Sequence, residues 1–340
     1  MDSTWISSKG RFIRDFEDSF SQYLGITSST TVSNGTVALH LALLALGIAP
    51  EDEVIVPTFT YIASVNAIKY VGAKPVFVDS ESDTWNIDPN DIRKKITPKT
   101  KAIMVVHLYG NPCKMDEIKT ICGEFNIDLI EDAAEALGSK YKGEYIGTFG
   151  DISTFSFFGN KTLTTGEGGM VASPKKDLID RVSFLKNQGV SKEIEYWHDE
   201  IAFNYRMTNI AAAIGLAQLE RIDGILSRKI EIADLYSSSL SSSPVEFQCT
   251  EDNCINSNWM VSVLLPSKKV RQELRQKLIE SGIETRPFFN PVHKMPPYNE
   301  NREFFVAEDL GSRGINLPSY PDLGDRDIDD IASIINEYFN

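Results

Sequence analysis

Residues 101–132 read KAIMVVHLYGNPCKMDEIKTICGEFNIDLIED. Two short β-rich runs, KAIMVVHLYG and IDLIED, enclose a helical pattern, KMDEIKTICGEF. A strand, a helix and a second strand at this spacing form the unit from which parallel sheets are made. The unit recurs on both sides. EVIVPT leads into a helical stretch through Tyr70, AKPVFVD follows, and DISTFSFF and GGMVAS continue the series beyond Asp132. The alternation predicts an α/β fold with a mostly parallel sheet covered by helices on both faces.

A long helix is expected from near Asn209, with Ile222, Leu226, Ile230 and Ala233 on one face. It bridges to a region of different pattern beyond the Ser-rich patch SSSLSSSPV at 237–245. There the strand WMVSVLLP, the helix VRQELRQKLIESG, a Pro-rich segment and the helix DIDDIASIINEYF predict a smaller C-terminal α+β domain. The expected division is a large domain over 1–236, bridging helix included, and a small domain over 237–340.

Composition narrows the function. The 340 residues are 42% hydrophobic and 24% charged, as in ordinary globular proteins, and carry a net charge of −14. That charge repels nucleic acid and anionic membrane surfaces, so neither is expected as a partner and any phosphate must be held by local donors. No apolar run has the length of a membrane span, and MDSTWISSKG lacks the pattern of a signal peptide, so a cytoplasmic protein is expected. Four cysteines form no CxxC and four histidines have no metal-ligand spacing, so no metal site is expected.

Three stretches have the residue types of a reactive site. In TTVSNGTVALHLALLALG, Ser33, Asn34, Gly35 and Thr36 precede an apolar helix, which reads either as a plain N-cap or as an anion site at a helix start. In LIEDAAEALGS, Glu131 and Asp132 end an apolar strand at the sheet edge where α/β proteins bind ligands, though a capping acid reads equally well. Glu135 either closes a capping box with Asp132 or faces a ligand. In SFFGNKTLTTGEGGM, residues 156–170, Lys161 lies between Phe157–Phe158 and a glycine-rich run. The stretch is no phosphate loop, because Asn160 separates Gly159 from Lys161. A lysine in a polar loop is normally solvated, but aromatic neighbours would desolvate this one, depress its pKa and expose a nucleophilic amine able to form a Schiff base. A helix-start phosphate site, a strand-end carboxylate and such a lysine together make up the set that pyridoxal 5′-phosphate requires.

Blocks along nearly the whole chain resemble the DegT/DnrJ/EryC1/StrS family of nucleotide-sugar aminotransferases. They include SNGTVALHLALLALG, VPTFTYIASVNAI, VVHLYGNPCKMDEI, IEDAAEALGSKYKG, FGDISTFSFFGNKTLTTGEGGMV, FNYRMTNIAAAIGLAQLERID and ETRPFFNPVHKMPPY. The resemblance implies fold type I of pyridoxal-phosphate enzymes. It also implies Lys161 as the Schiff-base lysine, Asp132 at the pyridine nitrogen, Gly35, Thr36 and Ser156 on the phosphate, Tyr61 stacked on the ring and Glu135 beside its hydroxyl. Asn204 would reach the phosphate of a neighbouring subunit, so a homodimer with shared sites is implied, with assembly into a tetramer left open. The implied reaction uses L-glutamate as amino donor and a nucleotide-linked 4-keto-6-deoxy sugar, GDP-linked by whole-chain resemblance, as acceptor. Arg206 and His293 are its candidate substrate contacts. A dTDP- or UDP-linked sugar remains an alternative. A related sugar dehydratase has histidine in place of Lys161, and an idle binding protein would not need Lys161 and Asp132. Family members carry a further segment ahead of the point corresponding to DSTWISSKG, from which an additional strand or helix near the dimer and substrate region is expected.

Overall fold

In a computed structural model, which describes residues 4–340, α1 (Arg11–Leu24) and β1 (Ser28–Val32) lead into α2 (Gly35–Ala45). Strands and helices then alternate as β2 (Glu53–Pro57), α3 (Ile62–Tyr70), β3 (Lys74–Val78), α4 (Pro89–Lys95), β4 (Thr100–Val106), α5 (Met115–Phe125) and β5 (Asp128–Asp132). A small hairpin, β6 (Lys140–Tyr141) and β7 (Glu144–Tyr145), precedes β8 (Ile152–Ser156), β9 (Gly169–Ser173) and α6 (Lys176–Lys186).

Seven of these strands form one sheet in the order β1-β9-β8-β5-β4-β2-β3. Only β9 runs against its neighbours, β1 and β8; every other pair is parallel. Successive residues of a strand point to opposite faces, and both faces here are apolar. Val54, Val56 and Met104 enter one core with Leu41 of α2, while Ile55, Ile103 and Val105 enter the other with Phe16 and Phe20 of α1. This two-sided burial explains why EVIVPT and KAIMVV read as continuous apolar runs rather than alternating ones.

The long helix expected from Asn209 is two helices, α7 (Asn209–Leu219) and α8 (Ile222–Ser239), parted at Glu220–Arg221. The break changes the core that the chain addresses. Leu219 and Ile222 pack beneath the large sheet, whereas Ile232, Tyr236 and Leu240 pack with Val261, Leu274, Ile315 and Ile331 in a third core. That core fills the space beside a second, antiparallel sheet. Its strands and helices are β10 (Glu246–Phe247), β11 (Cys254–Ile255, paired instead with β6), β12 (Val261–Leu264), α9 (Lys268–Glu280), β13 (Arg286–Pro287), α10 (Phe305–Arg313), β14 (Gly314–Leu317) and α11 (Asp325–Phe339). Among the described residues no helix is long and apolar enough to cross a membrane.

The parallel strands deliver Thr58, His107, Asp132 and Ser156 to one edge of the large sheet, each at or just past a strand's C-terminal end. Open α/β sheets bind their ligands along this edge.

Candidate active site

Helix α2 begins hard against the sheet. The Asn34 side chain accepts the Val37 N–H at 3.0 Å and fixes the first turn. A Cβ on Gly35 would come within 2.8 Å of Ser156 Cβ, and one on Gly169 within 2.7 Å of the Asn34 carbonyl, so both positions exclude a side chain. The close approach places the first-turn amides of Gly35 and Thr36, which lack partners within the helix, beside the end of β8 and the Ser156 hydroxyl. Positive helix-end potential and a hydroxyl donor together suit a phosphate.

The two acids ending β5 do different things. Glu131 is fully buried and accepts N–H groups from Gly147, Phe149 and Gly150 at 2.8, 2.8 and 2.6 Å. His107 Nδ1 accepts the Cys113 N–H at 3.1 Å, which leaves the ring proton on Nε2 to reach Glu131 at 3.2 Å. Asp132 faces the other way. Its Oδ2 accepts from Ser64 Oγ at 2.7 Å and its Oδ1 from the Ala134 N–H at 3.1 Å. Burial raises its pKa, while the Ser64 and Ala134 bonds and nearby Lys161 pull it back down.

Glu135 closes no capping box, because residues 133–139 form turns and not a helix. It accepts the Tyr109 N–H at 2.8 Å and lies 3.8 Å from Lys161 Nζ. Tyr109 adopts φ 57°, a left-handed conformation that is unfavourable for a non-glycine residue. Burial pushes the Glu135 carboxyl up to about 7 against the opposing pull of Lys161.

Lys161 sits in a loop closed by hydrogen bonds from Phe157 N–H to Gly168 and from Thr165 N–H to Phe157. The apolar wall expected from Phe157 and Phe158 comes from elsewhere. Phe157 turns into the core, 5.3 Å from the Phe16 ring, and Phe158 is half exposed. Trp259 supplies the wall: its ring centroid lies 3.7 Å from Lys161 Nζ. Burial lowers the lysine's pKa, with Glu135 and Asp132 opposing the shift.

Tyr61 is the N-cap residue of α3, with its ring half exposed and 5.7 Å from that of Phe289. Asn204 and Arg206 are joined to each other, Arg206 Nη2 donating to Asn204 Oδ1 at 3.2 Å, and no hydrogen bond links them to the lysine cluster within this chain. His293 is fully buried, with Nδ1 2.7 Å from Thr58 Oγ1 and Nε2 3.1 Å from Glu308 Oε1. Both its ring nitrogens are committed inside the protein, which is the reverse of a free substrate contact. A cleft of about 1180 Å³ opens from Lys161 and Trp259 toward Arg221, Lys229, Arg286 and Ser319. Ser64, Tyr109 and Trp259 escape sequence reading, since a helix serine, a loop tyrosine and a tryptophan ahead of a strand carry no local signal of a site.

The donor set fits pyridoxal phosphate: an anion cradle at Gly35 and Ser156, a buried carboxylate, a desolvated amine and an available aromatic face. Fold and site together define a pyridoxal-phosphate-dependent aminotransferase, and the chain belongs to the DegT/DnrJ/EryC1/StrS aminotransferase family, which it matches over residues 1–336. It is 58% identical over 341 residues to the GDP-perosamine synthase of Escherichia coli O157:H7, covering 100% of this chain and 93% of that protein. It is 48% identical to the GDP-perosamine synthase of Vibrio cholerae, covering 100% and 94%. Its structure superposes with a TM-score of 0.94 and 29% identity on the putative sugar aminotransferase Spr1654 of Streptococcus pneumoniae in its PMP form, over 99% of this chain and 93% of that one.

Proposed function

We propose that this chain transfers an amino group from L-glutamate to C4 of GDP-4-keto-6-deoxymannose and so makes GDP-perosamine for a surface polysaccharide such as O-antigen. The observation that carries the reading is the 58% identity, spread over the whole chain, to a protein of that activity.

Bound pyridoxal phosphate supplies an electrophilic aldehyde and a ring that accepts electron density. Lys161 provides the amine that holds it. When free, the same amine takes a proton from the substrate carbon and returns one at Nζ, which its depressed pKa favours. Asp132, fixed by Ser64 and Ala134, keeps a proton on the ring nitrogen. Gly35, Thr36 and Ser156 would hold the phosphate, Tyr61 would offer its aromatic face to the ring and Glu135 would serve its hydroxyl.

The exposed Asn204 reaches the phosphate of a second copy, so the working unit is a homodimer with shared sites. With a net charge of −14 the protein needs placed donors for a diphosphate, and Arg206 is the first of them. His293 supports the fold through Thr58 and Glu308.

Incubation with L-glutamate and a panel of GDP-, dTDP- and UDP-linked 4-keto-6-deoxy sugars tests the assignment. GDP-4-keto-6-deoxymannose should be aminated with the highest kcat/KM and yield 2-oxoglutarate. A better dTDP or UDP substrate would overturn the perosamine assignment, and no amination of any keto sugar by cofactor-loaded protein would overturn the sugar reading altogether.

A further inference from the structure

Trp259 grips the reactive lysine at two points. Its indole N–H donates to the carbonyl of Asn160, the residue before Lys161, at 2.7 Å. Its ring face lies 3.7 Å from Lys161 Nζ, well inside the range of a cation–π contact. The ring is itself immobilised, being 6% exposed and stacked on Tyr109 at 6.4 Å and 21°. Tyr109 in turn donates its backbone N–H to Glu135, whose Oε1 lies 3.8 Å from the amine. We infer that Trp259 is a positioning residue that parks the free ε-ammonium of Lys161 between its ring face and Glu135 while the cofactor carries the amino group.

The inference rests on Lys161 being the amine that serves the cofactor. A four-carbon side chain bordering an open cleft of about 1180 Å³ has many conformations open to it. The ring anchors both its root and its tip, so the amine stays within reach of the reacting carbon. The charged groups facing Nζ are Glu135 and Asp132, and both favour the ammonium form. The indole face adds to them through its quadrupole, whereas an aliphatic side chain of similar bulk would only desolvate.

The test compares Trp259→Phe, which keeps a ring face, with Trp259→Leu, which keeps only apolar bulk. In Trp259→Leu the limb of the kcat–pH profile that reports the Lys161 amine should move down by about one pH unit, and in Trp259→Phe by about a third of that. Equal shifts, or none, would overturn the proposal. A second measurement needs no change at Trp259. With the cofactor held in its amino form by excess L-glutamate, one of the four indole N–H resonances should titrate with pH in the native chain and stay fixed in Lys161→Ala. Four pH-independent indole signals in the native chain would also overturn it. Borohydride labelling of Lys161 reports the lysine's role separately, so a label at Lys161 with unmoved pH profiles removes the Trp259 role alone.

Discussion

Ser64 donates from Oγ to Asp132 Oδ2 at 2.7 Å, and it does so from the first turn of the helix whose N-cap residue is Tyr61. One short helix start therefore carries both an aromatic face and the hydroxyl that orients the buried carboxylate. Rings and carboxylates placed by one rigid element keep a fixed relation to each other, which a ring held from two sides requires.

Ser64→Ala removes a hydrogen bond to a charged group, worth about 1.5–3 kcal/mol. Asp132 then loses one of the two bonds that oppose its desolvation, and its pKa rises further. The expected outcome is a kcat lowered by about tenfold with KM for the sugar nearly unchanged. Steady-state kinetics on the purified variant check this.

Asp132→Asn removes the charge and keeps the shape. Cofactor binding should weaken little, because the phosphate cradle is separate, while kcat should fall by about a hundred- to a thousandfold. The visible absorption band of the loaded protein should shift as well. Near-native turnover would mean that another acid protonates the ring.

Glu135 brings a pH dependence whose sign follows from burial. Its folded pKa is raised from 4.5 to about 7, so the folded state binds the extra proton. Stability is therefore lost as pH rises from about 4.5 through about 7, and it is flat above that range. Glu135→Gln abolishes this loss. In urea titrations of cofactor-free protein the variant should gain about 3 kcal/mol on the native chain between pH 4.5 and pH 8. A constant difference across that range would show that the carboxyl titrates normally.

Much of this arrangement was legible in the sequence. Strands buried on both faces announce themselves as apolar runs, and so β2 to β5 are readable. Lys161 and Asp132 stand out because a lysine among glycines and an acid ending an apolar strand are locally unusual. Helix α1 and strand β1 were missed, since SSTTV has no apolar alternation and owes its place to pairing with β9, far along the chain. The break at Glu220–Arg221 was missed because neither glycine nor proline marks it; the switch between two cores makes it. Ser64 and Trp259 join the site across 68 and 99 residues of chain, through topology rather than local pattern. His293 was misjudged for the same reason: its partners, Thr58 and Glu308, come from other elements.

Shared sites can be tested by mixing subunits. Lys161→Ala and Asn204→Ala should each be strongly impaired alone. In a hybrid dimer one site carries both defects and the other carries none, so random exchange restores about a quarter of the sites. Absence of recovery after demonstrated exchange would place Asn204 in the site of its own chain.

The proposed chemistry depends above all on Lys161 being the amine joined to the cofactor. Three other lysines, Lys95, Lys186 and Lys229, also have depressed pKa values, and Lys95 pairs with Asp91 and donates to the Phe77 carbonyl. Lys229 lines the same cleft but donates to the Ser319 carbonyl, with its pKa lowered to about 8, and Lys186 is held by Thr30, the Thr31 carbonyl and Glu17. None of them lies beside Glu135 as Lys161 does. Borohydride reduction of the cofactor-loaded protein, followed by proteolysis and mass spectrometry, decides among the four. The expected result is a single pyridoxyl-modified peptide bearing the label on Lys161; a label on Lys229, Lys186 or any other lysine would contradict the account.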